Sequence, residues 1–144
     1  MAGPTGAPLA PGSFEWKPEK APRGPLSIIF STADRHAYVY RNGVLIGRAR
    51  FDLAGRVRGS HVYSALATFD STGRREWLVT TSTGRAKAPD LKAFASRLSI
   101  APAFDAQLRA AITPGTTLVL TDTPVSRQTH SGAGFGILTA DEAR

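Results

Sequence analysis

Residues 27–51 read SIIFSTADRHAYVYRNGVLIGRARF, and this stretch decides the fold. Three runs rich in apolar, aromatic and β-branched residues follow one another here, separated by two short polar interruptions, a pattern typical of strands. The second interruption is Asn42-Gly43, which favours the type I′ turn of a hairpin because both central residues of that turn need positive φ. We therefore predict strands at 27–31, 36–40 and 44–51.

Further strand patterns alternate with turn residues along the rest of the chain. Pro102 opens one clear helix, at a position where a missing amide hydrogen costs nothing, and Phe104, Leu108 and Ile112 then share one helical face. Residues 90–96 fit either a loop or one helical turn. The remaining predicted strands are 60–68, 77–81, 97–100 and 116–121. The sequence thus predicts a mainly β fold, a sandwich or a partly closed barrel, with one short helix at about 102–112.

Residues 1–25 differ in composition from the rest, since six of the ten prolines lie there. Proline fixes φ and removes a backbone donor, so this segment is predicted to be an extended or disordered lead-in. Its Phe14 and Trp16 favour docking of the lead-in onto the domain over contact with a partner. The domain itself is predicted at 26–122, followed by a polar, glycine-rich tail at 123–144.

The composition excludes several kinds of chemistry. The chain has 144 residues, 42% hydrophobic and 20% charged, which indicates one globular domain. It has no cysteine, which rules out a thiolate nucleophile, disulfides and a cysteine zinc site. Its three histidines, His36, His61 and His130, match no metal-binding spacing, and we place His36 at the surface, after a turn. Neither a metal nor a cofactor is predicted.

The net charge of +7 favours polyanionic partners such as nucleic acid, anionic lipid or an acidic wall polymer, and equally serves plain solubility. No run approaches the roughly 18 apolar residues of a membrane span. The N-terminus has no basic start followed by an apolar core, so no signal peptide is visible. Both a cytoplasmic location and a removed leader or anchor stay open.

Two stretches resemble a known family. Residues 28–55, IIFSTADRHAYVYRNGVLIGRARFDLAG, are similar to the opening strands of the YkuD-type L,D-transpeptidase domain. Residues 101–122, APAFDAQLRAAITPGTTLVLTD, are similar to its short helix and closing strand. The two stretches stand in the family's order and at about its separation. The resemblance implies a β-rich, sandwich-like domain that acts on peptidoglycan stem peptides in the periplasm or cell envelope.

The family's catalytic pattern is missing from this sequence. The resemblance implies a motif with a nucleophilic cysteine, a histidine base and a substrate-holding arginine just before the helix. Here residues 94–100 read FASRLSI, without cysteine or histidine, and Arg97 is the nearest counterpart of the arginine. The family's PTG segment is replaced by residues 58–63, RGSHVY. None of the catalytic residues carries over by identity.

Three functional hypotheses follow. The first is an L,D-transpeptidase-like pseudoenzyme: a non-catalytic binding or regulatory module for stem peptides or a cell-wall protein, with Arg58, His61, Tyr63 and Arg97 as the binding residues. The second is a stem-peptide hydrolase or transpeptidase that uses Ser96 or Ser99 as the nucleophile and His61 as the base. The third is a basic β module that binds nucleic acid or another polyanion. A basic rim is predicted if the loops converge that carry Arg56, Arg58, Arg74, Arg75, Arg85 and Lys87.

Overall fold

The computed structural model of the chain describes residues 7–84 and 86–125. Within them lie eight strands, two α-helices and a short 3-10 helix at Pro18–Lys20. The strands are β1 (Phe14–Trp16), β2 (Leu26–Ser31), β3 (His36–Arg41), β4 (Val44–Leu53), β5 (Ser60–Phe69), β6 (Arg75–Ser82), β7 (Leu98–Ile100) and β8 (Thr117–Thr121). The helices are α1 (Leu91–Arg97) and α2 (Pro102–Ala111). The prediction of a mainly β chain is confirmed.

The strands form one sheet in the order β1-β4-β3-β2-β8-β5-β6, and β7 pairs with β4 outside this path. Neighbours are antiparallel except for β2 and β8, which run parallel. A barrel closes only when its end strands hydrogen-bond to each other. Here the end strands β1 and β6 lie at opposite edges, so the sheet is open rather than partly closed.

The predicted hairpin between β3 and β4 is confirmed. Its two loop residues, Asn42 and Gly43, both have positive φ, at 52° and 79°. An asparagine tolerates the left-handed region better than most residues with a side chain, and glycine adopts it freely. The turn therefore matches the right-handed twist of the two strands it joins.

Both helices cover the same face of the sheet. Phe94 of α1 and Phe104 and Leu108 of α2 belong to one buried cluster with sheet residues such as Ile28 and Phe30. The rings of Phe30 and Phe94 meet edge to face, with their centroids 5.3 Å apart. The core therefore lies between the sheet and a layer of two short helices.

Within residues 7–84 and 86–125 there are two α-helices where the sequence predicts one. The predicted helix is α2, and α1 occupies the segment left open between a loop and a helical turn. Asp90 caps α1 by accepting a hydrogen bond from the Lys92 amide. A helix of this length is marginal by propensity, so the burial of Phe94 against the sheet is what stabilises it.

The lead-in is built into the sheet from residue 14 onward. Strand β1 pairs antiparallel with β4, with Phe14 opposite Ala49 and Trp16 opposite Gly47. The ring centroids of Phe14 and Trp16 lie 5.9 and 5.7 Å from that of Phe104. The predicted docking of these two aromatic residues onto the domain is confirmed.

An ion pair on β1 gives the lead-in a pH-dependent attachment. Nε of Arg48, a buried residue, lies 2.8 Å from Oε1 of Glu15. The hydrogen bond from Arg48 lowers the pKa of Glu15 below its usual value. A carboxylate with a lower pKa in the folded state stabilises the fold above its unfolded pKa. That stabilisation disappears as the pH falls through the lowered folded value.

We expect Glu15→Gln to lower the free energy of unfolding at pH 7 by less than about 1 kcal/mol, since Glu15 is half exposed and screened by solvent. The difference from wild type should shrink between pH 5 and pH 3. Urea unfolding at several pH values measures it, and Glu19→Gln, an exposed glutamate of the same segment, is the control. A difference that does not change with pH would contradict the role of this carboxylate.

Candidate functional site

His61 is the centre of the candidate site. It lies on β5, fully buried, and both nitrogens of its ring have partners. Nε2 lies 2.6 Å from the carbonyl oxygen of Arg58, and Nδ1 lies 3.0 Å from Oγ of Ser82. A carbonyl oxygen only accepts hydrogen bonds, so Nε2 carries the proton of the neutral ring. Nδ1 then presents its lone pair to the Ser82 hydroxyl.

The loop before β5 is held in place from two sides. Gly59 has φ of 78°, in the region that favours glycine, and a Cβ there would lie 2.8 Å from the carbonyl oxygen of Thr83. Its amide donates to the Asp122 carboxylate at 2.9 Å. These contacts fix the Arg58 carbonyl at the Nε2 edge of the His61 ring. Sequence patterns do not show them, because they join segments far apart in the chain.

A row of hydroxyl groups crosses the sheet beside this site, on the face opposite to the His61 ring. Oγ of Ser60 lies 2.6 Å from Oγ1 of Thr121, which lies 2.9 Å from Oγ1 of Thr123. The Ser31 hydroxyl donates to the Thr123 carbonyl at 2.8 Å. The row links β2, β5 and β8 at the end of the sheet where the candidate site lies.

Tyr63 lies two residues after His61 on the same face of β5, and it too is buried. Its hydroxyl donates to the Pro89 carbonyl at 2.6 Å. Burial, together with the nearby charge of Asp90, raises the pKa of Tyr63 to about 12. The phenol therefore stays protonated near neutral pH and holds the 86–90 segment against the sheet.

The structure does not join His61 to either predicted serine. The Ser96 hydroxyl donates to the Ala93 carbonyl at 2.7 Å, within α1. Ser99 is an exposed residue of β7. The serine that the structure brings to the His61 ring is Ser82, which the sequence analysis did not single out.

Arg97 and Arg58 occupy separate positions. Nη1 of Arg97 donates to the Ala54 carbonyl at 3.0 Å, and a Cβ on Gly55 would lie 2.5 Å from that nitrogen. Arg97 thus braces the loop after β4. The Arg58 side chain is exposed, and only its carbonyl takes part in the His61 contact.

His36 lies inside the structure, so the prediction of a surface position is wrong. It is buried; Nε2 accepts a hydrogen bond from the Leu9 amide at 3.0 Å, and Nδ1 lies 2.7 Å from the Asp34 carbonyl. The lead-in covers this histidine, which the local turn pattern alone does not reveal. His130 and the tail from residue 126 onward lie outside the described residues.

A cavity of about 310 Å³ opens between the sheet, the two helices and the β5–β6 hairpin; we call it the helix cavity. Its apolar wall comes from the sheet, the hairpin and the helices: Ile28, Phe30, Phe69, Trp77, Leu91, Phe94, Ala95, Leu98, Leu108, Ile112 and Leu118. Its charged rim consists of Arg74, Arg75, Lys92, Asp105 and Arg109. An apolar wall with a few polar groups at the mouth is typical of a ligand pocket.

Two of the four cations at the rim of the helix cavity form ion pairs with acidic side chains. Lys92 forms an ion pair with Asp70, and Arg109 pairs with Asp105 at 2.9 Å. The Lys92 ammonium holds the pKa of Asp70 well below its usual value. Both of these cations therefore already have an acidic partner.

The two arginines at the turn of the hairpin, Arg74 and Arg75, have no acidic partner in the part of the chain that the structure describes. Arg75 donates to the Leu66 carbonyl at 2.6 Å and lies 4.7 Å above the ring centroid of Phe69. Arg74 is exposed and forms no ion pair with any described residue. Its guanidinium is thus available to an anion at the mouth of the helix cavity.

The predicted basic rim is only partly assembled. Arg74 and Arg75 line the helix cavity, whereas Arg56 lines a second cavity of about 250 Å³ beside Arg35. Lys87 is exposed and lines neither cavity, and Arg85 is outside the described residues.

Within residues 7–84 and 86–125, no three acidic or histidine side chains are grouped closely enough to hold a metal ion. In the same residues, no helix has the length and apolar character needed to cross a membrane. Comparison with known proteins gives no match: no family model, no curated protein and no solved structure matches the chain. The resemblance to L,D-transpeptidases therefore stays a prediction.

Proposed function

We propose that the protein is an L,D-transpeptidase-like binding module of the cell envelope that holds the carboxylate-bearing stem peptides of peptidoglycan. It acts without cysteine chemistry, since the chain has no cysteine. The observation that carries the proposal is the helix cavity, an apolar pocket with the Arg74 guanidinium at its mouth, which pairs with no acidic side chain among the described residues.

The chemistry of the ligand matches this pocket. A stem peptide combines small apolar side chains with free carboxylates, and the pocket combines an apolar wall with Arg74. An arginine binds a carboxylate through two parallel hydrogen bonds, which fixes orientation as well as position. Lys92 and Arg109 are neutralised by their own acidic partners. Arg75 is held by the Leu66 carbonyl and the Phe69 ring. The selectivity for an anion therefore falls mainly on Arg74.

Co-sedimentation with purified peptidoglycan sacculi tests the proposal. We expect the wild-type protein to sediment with the sacculi at physiological ionic strength. Arg74→Glu should weaken the apparent affinity about tenfold, since losing one charge-assisted hydrogen bond costs about 1.5 kcal/mol or more. Mass spectrometry of the retained and released muropeptides shows whether binding leaves them unchanged.

Arg23→Glu provides a matched control, because it changes the net charge by the same amount as Arg74→Glu. Arg23 is exposed and does not line the helix cavity. Equal loss of binding in both variants would overturn the cavity proposal and favour the general attraction of a basic protein to a polyanion. In that case binding to nucleic acid with a steep salt dependence becomes the leading function.

A further inference from the structure

We propose that Ser82 is an acyl-accepting nucleophile with His61 as its general base, and that the protein thereby carries an esterase-type activity. The inference goes beyond the binding function, because it concerns a different site. Ser82 lies on the edge strand β6 and does not line the helix cavity.

The first argument is the fixed tautomer of His61. The Arg58 carbonyl, 2.6 Å from Nε2, requires the proton on that nitrogen. In the neutral ring Nδ1 therefore carries the lone pair, and it lies 3.0 Å from Oγ of Ser82. A serine whose hydroxyl donates to an imidazole, with the imidazole oriented by a third group, is the arrangement that activates a weak hydroxyl nucleophile.

The second argument is the contrast in exposure between the two side chains. His61 is 0% exposed, whereas Ser82 is exposed. In the free protein bulk water does not reach the imidazole, so Nδ1 hydrogen-bonds to the Ser82 hydroxyl instead of to solvent. Ser82, by contrast, is an exposed residue at the sheet edge, so a substrate approaches it from solvent.

The third argument is a backbone donor at the same position. Backbone groups along a strand point alternately to its two sides. The Thr83 amide donates to the Ser60 carbonyl on β5, at 2.9 Å. The Ser82 amide therefore points the other way, toward the open edge of the sheet where β6 ends the strand order. An amide hydrogen beside the attacking oxygen is suited to stabilise the oxyanion that forms during acyl transfer.

The reaction balances with water as the only co-reactant. The Ser82 oxygen bonds to the carbonyl carbon of an ester, and the hydroxyl proton passes to Nδ1 of His61. The tetrahedral intermediate expels the alcohol oxygen, which takes that proton, and an acyl ester remains on Ser82. Water then attacks the acyl carbon, gives its proton to Nδ1 and releases the carboxylic acid, while the serine oxygen recovers a proton from His61.

The test uses the whole chain and 4-nitrophenyl acetate. We expect release of 4-nitrophenolate with acetyl-Ser82 as the intermediate, detected by peptide mass spectrometry after an acid quench. Ser82→Ala should lower the rate about a hundredfold or more, the share typical of a nucleophile and its base acting together. Ser96→Ala and Ser99→Ala, matched changes at exposed serines away from the His61 ring, should keep the wild-type rate.

His61→Gln should lower the rate to a similar degree while Ser82 stays in place. His61 is fully buried, so circular dichroism is used to check that His61→Gln still folds. Ser82 is exposed, so Ser82→Ala is expected to fold normally and decides the question by itself. Wild-type rates in Ser82→Ala, or acetyl groups mapped to other residues, would overturn the proposal. Sacculus binding that depends on Arg74 is a separate readout, so the failure of one proposal is distinguishable from the failure of the other.

Discussion

Replacing Phe104 by alanine is expected to lower the free energy of unfolding by about 3–5 kcal/mol, the range for a buried aromatic residue that leaves a cavity. Phe104 is 0% exposed. It is also the contact point of α2 for the lead-in, since the rings of Phe14 and Trp16 both lie within 6 Å of its own. Its removal therefore takes away core packing and the anchor of β1 together.

Urea unfolding followed by circular dichroism measures the loss. Gln107→Ala is the control, because Gln107 is exposed on the same helix. Its replacement alters only the surface and should change the stability little. We expect amides of β1 to exchange with solvent faster in Phe104→Ala than in the control. A loss of unfolding free energy below about 1 kcal/mol would mean that α2 moves to fill the space left by the Phe104 ring and that Phe104 does not anchor the lead-in.

The strand pattern was predictable because its signals are local. Asn42-Gly43 defines a turn by backbone conformation alone, and the alternation on both sides of it defines the two strands. Pro102 marked the start of α2 in the same way. By contrast, the lead-in has too many prolines to suggest a strand, and β1 forms because Phe14 and Trp16 reach Phe104, a contact between residues far apart in the chain.

The pairing of Ser82 with His61 was hidden by the register of the β5–β6 hairpin. Counting back from the Phe69–Arg75 pair places Thr83 opposite His61. Two irregularities in the ladder shift the register and bring Ser82 there instead. A shift of one residue moves a side chain to the other face of a sheet, so a sequence pattern cannot tell which hydroxyl faces the imidazole.

The absence of cysteine therefore does not leave the histidine without a partner. A thiolate is a strong nucleophile by itself, whereas a serine hydroxyl depends on a base placed against it. The β5–β6 ladder and the Arg58 carbonyl place such a base against Ser82, away from residues 94–100, the segment that the family resemblance indicates. The proposed binding and the proposed reaction therefore belong to two separate places, the helix cavity and the edge of β6.

Gly47→Ala is expected to lower the free energy of unfolding by about 1–3 kcal/mol, the usual cost of forcing an added methyl group into a packed site. Gly47 lies opposite Trp16 in the β1–β4 ladder. A Cβ there would lie 2.5 Å from Cε3 of Trp16 and 3.2 Å from the Glu15 carbonyl oxygen. The φ of Gly47 is outside the positive region, so the cost comes from lack of space and not from backbone strain.

A double-mutant cycle with Trp16→Ala isolates this contact. Without the indole ring only the milder approach to the Glu15 carbonyl remains, so Gly47→Ala should cost about 1 kcal/mol less in that background. In a Trp77→Phe background Trp16 is the single tryptophan, and its emission should move to longer wavelength when Gly47→Ala displaces β1. If the losses of unfolding free energy in the two single variants add up and the Trp16 emission does not change, then β4 shifts to accommodate the methyl group and β1 does not. The close approach of glycine to indole would then not be what seats the lead-in on the sheet.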